Sequence, residues 1–236
     1  MSTGQLGTGS AEMDHQYGTP ERLQTRASFW APSPPGESPQ DVAIKVLREA
    51  NVHKVLEIGC GRGDFASRMR DELGADVLAT DRSEAMVEAT RSRGLVAQVI
   101  DATELPYEDA SFDAVVAMWM LYHVPDLDRT LGEVRRVLTP GGVFVSVTNG
   151  REHTADLLRE VGLPLAETQF MTENGEEVLR RHFDDVARTI ANGKAVADHA
   201  TARAYLSTFV PEVADQLPVY DGERTFTGSS AVFVAR

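Results

Sequence analysis

The stretch Val55-Leu-Glu-Ile-Gly-Cys-Gly-Arg-Gly-Asp-Phe65 limits what this chain can fold into more than any other part of it. An apolar run ends at Ile58, glycines follow at alternate positions 59, 61 and 63, and Phe65, Met69 and Leu73 recur at helical spacing. That pattern predicts a buried strand, a tight turn and a helix. Glycines there allow positive φ and let a ligand approach the backbone closely. The helix start behind them offers unpaired N–H groups to a carboxylate or phosphate. A nucleotide-like ligand is expected over Gly59, Gly61 and Gly63; the plainer alternative is a glycine-rich connection that binds nothing. A dinucleotide site wants its third glycine at position 64. Asp64 stands there and Glu57 precedes the first glycine, so carboxylates sit where a pyrophosphate would go. Glu57 suits a ligand carrying an amine or sulfonium cation.

Strands and helices alternate on either side of this turn. Ser38-Pro39 is a helix start, an N-cap followed by proline at the first helical position. Val42, Val46, Leu47 and Ala50 are expected to form its buried face. Strands are expected over 54–58, 76–80, 95–100, 112–118 and 143–147. Helices are expected over 63–73, around Met86 and Val87, and over 126–138, where Thr139-Pro-Gly-Gly142 stops the last. Further on, helices are expected at 151–161, 173–181 and 198–209, and strands at 183–190 and 225–235. This alternation implies right-handed crossovers and a mainly parallel α/β sheet. Ligands then bind beyond the carboxyl ends of its strands.

Composition excludes some partners. With 236 residues and a net charge of −13, the chain is read as one large domain that does not take nucleic acid or an anionic membrane as its main partner. A single cysteine, Cys60, gives no disulfide framework and no thiolate metal cluster, and no run reaches transmembrane length. A cytoplasmic protein, monomer or homodimer, is expected. Residues 1–11 read as a disordered tail, 12–37 as an N-terminal lid segment and 38–236 as the main domain, with an insertion at about 160–182 closing over the site.

The Glu-x-Gly-x-Gly-x-Gly run at 57–63 resembles the first motif of class I S-adenosylmethionine-dependent methyltransferases. The stretch Phe112-Asp-Ala-Val-Val-Ala-Met-Trp-Met-Leu-Tyr-His-Val124 and the Leu-Thr-Pro-Gly-Gly run at 138–142 are similar to that family's fourth strand and the approach to its fifth. Tyr17-Gly-Thr-Pro, Thr148-Asn-Gly-Arg-Glu-His153 and Glu173-Asn-Gly175 resemble a small-molecule, natural-product subset. The resemblance implies a Rossmann-like, doubly wound, mainly parallel seven-stranded sheet with an antiparallel last strand and helical lids. It also implies a cofactor core at 52–148, S-adenosylmethionine as methyl donor and S-adenosylhomocysteine as product.

Asp81, at the end of the second strand, is placed to accept both ribose hydroxyls, or else to cap the next helix. By the resemblance, Asp101 and Ala102 meet the adenine, Arg82 and Met86 flank ribose and adenine, and Ala117 and Met118 lie beside the methionine portion; otherwise Asp101 is a helix or turn cap, Arg82 an exposed charge and Met86 a core residue. Tyr17 and Arg26 would close over its carboxylate, unless they are lid packing and solvated charge. For the acceptor, Asn149 and His153 are candidate hydrogen-bonding contacts, Asn149 otherwise a helix cap; Trp30, Trp119 and Phe170, with Met120 and Met171 adding sulfur, are candidate walls, each otherwise a core residue. His123 is a candidate general base, able to titrate near neutrality, or else a buried structural imidazole. No metal motif is present, so a metal-independent transfer to a small O, N or C nucleophile is expected. The rival readings are a nicotinamide-dependent oxidoreductase and a non-catalytic cofactor-binding protein.

Overall fold

A computed structural model describes residues 20–30, 38–165 and 167–236. Two helices lead in, α1 (Pro20–Phe29) and α2 (Pro39–Glu49). Ser38 caps α2 as its residue type predicts: its hydroxyl accepts the Asp41 N–H at 3.1 Å, and the Asp41 carboxylate accepts the Ser38 N–H. The buried face of α2 is Ala43, Ile44 and the expected Leu47, with the expected Val42 and Val46 half-buried against the same core. Ala50 is instead the exposed C-cap.

The alternation follows as β1 (Lys54–Ile58), α3 (Asp64–Leu73), β2 (Asp76–Asp81), α4 (Glu84–Arg91), β3 (Val96–Val99) and β4 (Phe112–Met118). After a 3-10 turn at Leu121–His123 come α5 (Leu127–Val137) and β5 (Leu138–Asn149). The rest is α6 (Ala155–Glu160), α7 (Gly175–Leu179), β6 (Val186–Ile190), β7 (Lys194–Ala197), α8 (His199–Ser207), α9 (Pro211–Ala214), β8 (Arg224–Thr227) and β9 (Ser230–Ala235).

Seven strands form one sheet in the order β3-β2-β1-β4-β5-β9-β6. Pairings among β1 to β5 are parallel, and β9 runs antiparallel to both β5 and β6. This is the Rossmann-like sheet with an antiparallel last strand that the alternation and the resemblance lead to. Chain order reverses between β1 and β4, so the carboxyl ends of those strands open onto a crevice.

One apolar cluster, with Ile44, Leu47, Phe65 and Met69, covers one face of the sheet; a second, with Leu131, Val134, Phe144 and Phe233, covers the other. A third cluster stands apart and makes a cover: Phe29 of α1, Leu157 of α6, Ala195 and Ala197 of β7, Tyr205 and Leu206 of α8, and Phe226 of β8. The cover thus draws on α1, but also on segments after 190. Of the stretch read as the closing insertion, Val161 and Leu163 join this cover and Thr168 and Met171 face the cavity, while Phe170 and Leu179 pack with Phe144 and Phe233 in the second cluster. The single strand expected over 225–235 is two strands. β8 pairs with β7 in a separate ribbon, and β9 enters the main sheet.

Candidate active site

A cavity of about 820 Å³ lies over the carboxyl ends of the strands, beneath the cover. The glycine turn forms its floor. Gly59 (φ +66°) and Gly63 (φ +75°) both occupy the left-handed region that side chains disfavour. A Cβ on Gly59 would lie 2.7 Å from Met120, and one on Gly63 would lie 2.7 Å from Thr90. Gly59→Ala is accordingly expected to destabilise the protein by about 1–3 kcal/mol, read as a lower urea midpoint. A midpoint equal to wild type would mean that the turn tolerates a side chain.

Glu57 ends β1 beneath this turn and is almost fully buried. It accepts the Ala66 N–H, while Oε2 is buried with no hydrogen-bond partner. Burial, helped by the charges of Asp81 and Asp64, pushes its carboxyl up to about 8. Asp81, at the end of β2, accepts the Gly61 N–H on Oδ2 and the Ser83 N–H on Oδ1, both at 2.9 Å. Burial raises its pKa against the pull of those bonds. Asp81 therefore takes part in the start of α4 and still has lone pairs for a ligand. Asp101 spends Oδ1 on the Thr103 N–H and hydroxyl, which hold its pKa low.

Asp64 departs from the sequence reading. Its carboxylate pairs with Arg93 at 2.6 Å and Arg62 at 3.5 Å, so the case against a pyrophosphate rests on Glu57. A buried, partnerless carboxyl oxygen that is protonated near neutrality is ionised by a cationic ligand group and offers a phosphate no positive charge.

Glu57, Gly59, Gly61, Asp81, Arg82, Met86, Asp101, Ala102 and Met118 all line the cavity. Gly63 and Ala117 do not: Gly63 shapes the turn, and Ala117 is buried in the core on the α5 side. Tyr17 lies outside the described residues.

The far half of the cavity, beyond β4 and β5, holds Trp119, His123, Asn149 and His153, with Arg26 of α1 and Trp30, just after that helix, reaching in. Trp119 sits at φ +53°, an unusual backbone for an indole residue, and its Nε1–H donates to Asn149 Oδ1 at 2.9 Å. Trp30 donates to the Tyr205 hydroxyl at 3.0 Å and packs 4.6 Å from the His153 ring. Arg26 donates to the Thr208 hydroxyl and carbonyl at 3.0 and 2.9 Å.

Two expectations need correcting. Phe170 is not a pocket residue: it is fully buried against Phe233, while its neighbour Met171 lines the cavity. His123 does not titrate near neutrality. Burial first, then the charges of Arg26 and Arg82, push it down to about 3. Burial likewise takes His153 down to about 4.

The sequence reading missed Tyr205, Phe209 and Gly228 as cavity residues. At Gly228 a Cβ would strike the Trp30 ring at 2.8 Å, a constraint that only the fold reveals.

The family model described as a methyltransferase domain matches residues 56–146. The 27-O-demethylrifamycin SV methyltransferase of Amycolatopsis mediterranei is 39% identical over 124 residues, which cover 46% of this chain and 46% of that relative. Methyltransferase GfsG of Streptomyces halstedii is 41% identical over 98 residues, 38% of this chain and 35% of the relative. The matches thus span less than half the length of both relatives. Among solved structures, a Haemonchus contortus phosphoethanolamine N-methyltransferase holding S-adenosylhomocysteine shares the fold, with a TM-score of 0.63 at 19% identity over 95% of this chain and 58% of that one. Residues 56–146 thus carry a methyltransferase domain, and in strand order and glycine turn the chain is similar to class I S-adenosylmethionine-dependent methyltransferases.

Proposed function

We propose that the protein transfers a methyl group from S-adenosylmethionine to a small-molecule O, N or C nucleophile, with no metal required. The observation that carries this reading is Glu57: a buried carboxylate oxygen without a partner, among other acids, at the glycine turn. A ligand cation there would hold the carboxylate ionised. Asp81 would accept the ribose hydroxyls, and Asp101 with Ala102 would meet the adenine.

When bound, the cofactor supplies a methyl on a sulfonium, already activated, and the electron pair of the breaking carbon–sulfur bond stays on sulfur. The chain's own residues orient the acceptor and exclude water, which is most of what an in-line displacement asks of a protein. Trp30, Tyr205 and the rest of the cover serve the second task. Asn149 has its amide oxygen fixed by Trp119 and Ser230 and serves the first.

His123, neutral throughout the working range, acts as a hydrogen-bonding wall and not as a base. His123→Asn is therefore expected to keep turnover within about tenfold of wild type from about pH 6 to 9. A loss of about a thousandfold that follows a titration near neutrality would restore the base role.

The reading as a whole is tested by S-adenosylhomocysteine release, together with binding of S-adenosylmethionine and NAD to the purified protein. Product formation supports it. Binding of NAD alone would favour an oxidoreductase, and cofactor binding without turnover would favour a non-catalytic protein.

A further inference from the structure

The two halves of the cavity carry different charges, and the difference bears on the acceptor. Its described carboxylates, Asp41, Glu57, Asp64, Asp81 and Asp101, all come from segments before β4, where Arg62, Arg68 and Arg82 also line it. Beyond β4, and from α1, the described lining residues include no carboxylate. What stands there is the Arg26 guanidinium, two imidazoles, the Asn149 amide and the flat faces of Trp30 and Trp119.

Resting on the methyltransferase reading, we propose that this half binds a planar acceptor through an ionised hydroxyl, a phenolate or enolate oxygen, in preference to an uncharged amine isostere.

Three observations support this. Arg26 is positioned by Thr208 through two hydrogen bonds and lies 5.6 Å from the Phe209 ring, so its charge is delivered by a braced side chain. Among the described residues, the charged and titratable groups near His123 include Tyr122 at 4.2 Å on its own turn, Arg26 from α1, and Arg82 after β2. Both arginines oppose a proton on the imidazole. The same Coulomb term opposes an ammonium and favours an oxyanion. The third observation concerns Asn149. Indole Nε1–H can only donate, so the atom at 2.9 Å from it is the amide oxygen, which also accepts the Ser230 hydroxyl. The amide keeps its two N–H donors for a ligand oxygen. An acceptor that enters ionised also needs no base, which agrees with two imidazoles held neutral by burial.

Aromatic walls attract cations as well as flat rings, so the decisive comparison is between isosteres of different charge. The full-length protein saturated with S-adenosylhomocysteine is titrated with 2-hydroxy-1,4-naphthoquinone, as its enolate, and with 2-amino-1,4-naphthoquinone. The enolate is expected to bind at least about tenfold more tightly. Arg26→Gln should bring it toward the amine's affinity, and Arg26→Lys should keep the preference. Equal or tighter binding of the amine, absence of enolate binding, or a preference unchanged in Arg26→Gln overturns the proposal. Failure of S-adenosylhomocysteine itself to bind is read in the first titration and counts against the methyltransferase reading instead.

Discussion

Glu57→Gln is expected to weaken S-adenosylmethionine binding about 10- to 100-fold while making the empty protein more stable at alkaline pH. The first effect follows from the proposed pairing of Glu57 with the cofactor's cation, since hydrogen bonds to charged groups contribute about 1.5–3 kcal/mol. The amide keeps the shape and can still accept the Ala66 N–H, so packing is preserved. The second effect follows from linkage. Folding moves the carboxyl from near 4.5 to about 8, so between those values the folded state holds a proton that the unfolded state has lost. The stability this contributes is complete below about 4.5 and is lost as pH rises through about 8. Gln carries no such proton. Urea unfolding of both proteins at about pH 5 and pH 8.5 should therefore show the wild type losing ground with pH and the variant losing less. Parallel losses would mean that Glu57 is already ionised in the empty protein.

Asp81→Ala is expected to lower S-adenosylhomocysteine affinity by about 1–3 kcal/mol, roughly 10- to 100-fold. The substitution also strands the Gly61 and Ser83 N–H groups, so a fall in stability alone would not distinguish a ribose contact from a turn defect. A cofactor analogue lacking both ribose hydroxyls separates them. If the carboxylate meets the ribose, wild type and variant should bind that analogue with nearly equal affinity, the logic of a double-mutant cycle. Unchanged affinity for the complete nucleoside would remove Asp81 from the cofactor site.

The sheet was legible because its elements advertise their own periods. β1 and β4 begin and end where the apolar runs do, and the Ser38-Pro39 pair starts α2 as its residue types demand. Cavity residues tied to those strand ends, among them Glu57, Asp81, Asp101 and Asn149, were found for the same reason.

What stayed hidden depends on partners distant in sequence. Residues 225–235 alternate continuously, yet Gly228 and Ser229 divide them between two sheets, and alternation does not name a strand's partner. Phe170 and Met171 are adjacent apolar residues; only the presence of Phe233 decides that the first enters the core and the second faces the cavity. The Trp30–Tyr205 contact joins residues 175 positions apart, and nothing local foretells it. His123 carries its ordinary neutral-range acidity in sequence alone; the shift arises from burial and from Arg26 and Arg82, which the fold brings to it.

The central claim is that a buried, partnerless carboxylate beneath a glycine turn is kept for a cationic sulfur nucleoside. Calorimetric titration of the purified protein with S-adenosylmethionine near pH 7, in buffers of different ionisation enthalpy, tests it most directly. Saturable binding with net release of protons to the buffer is the predicted result, because the cation should convert Glu57 from acid to carboxylate. Binding with no proton release, or no binding at all while NAD is taken up, would contradict it.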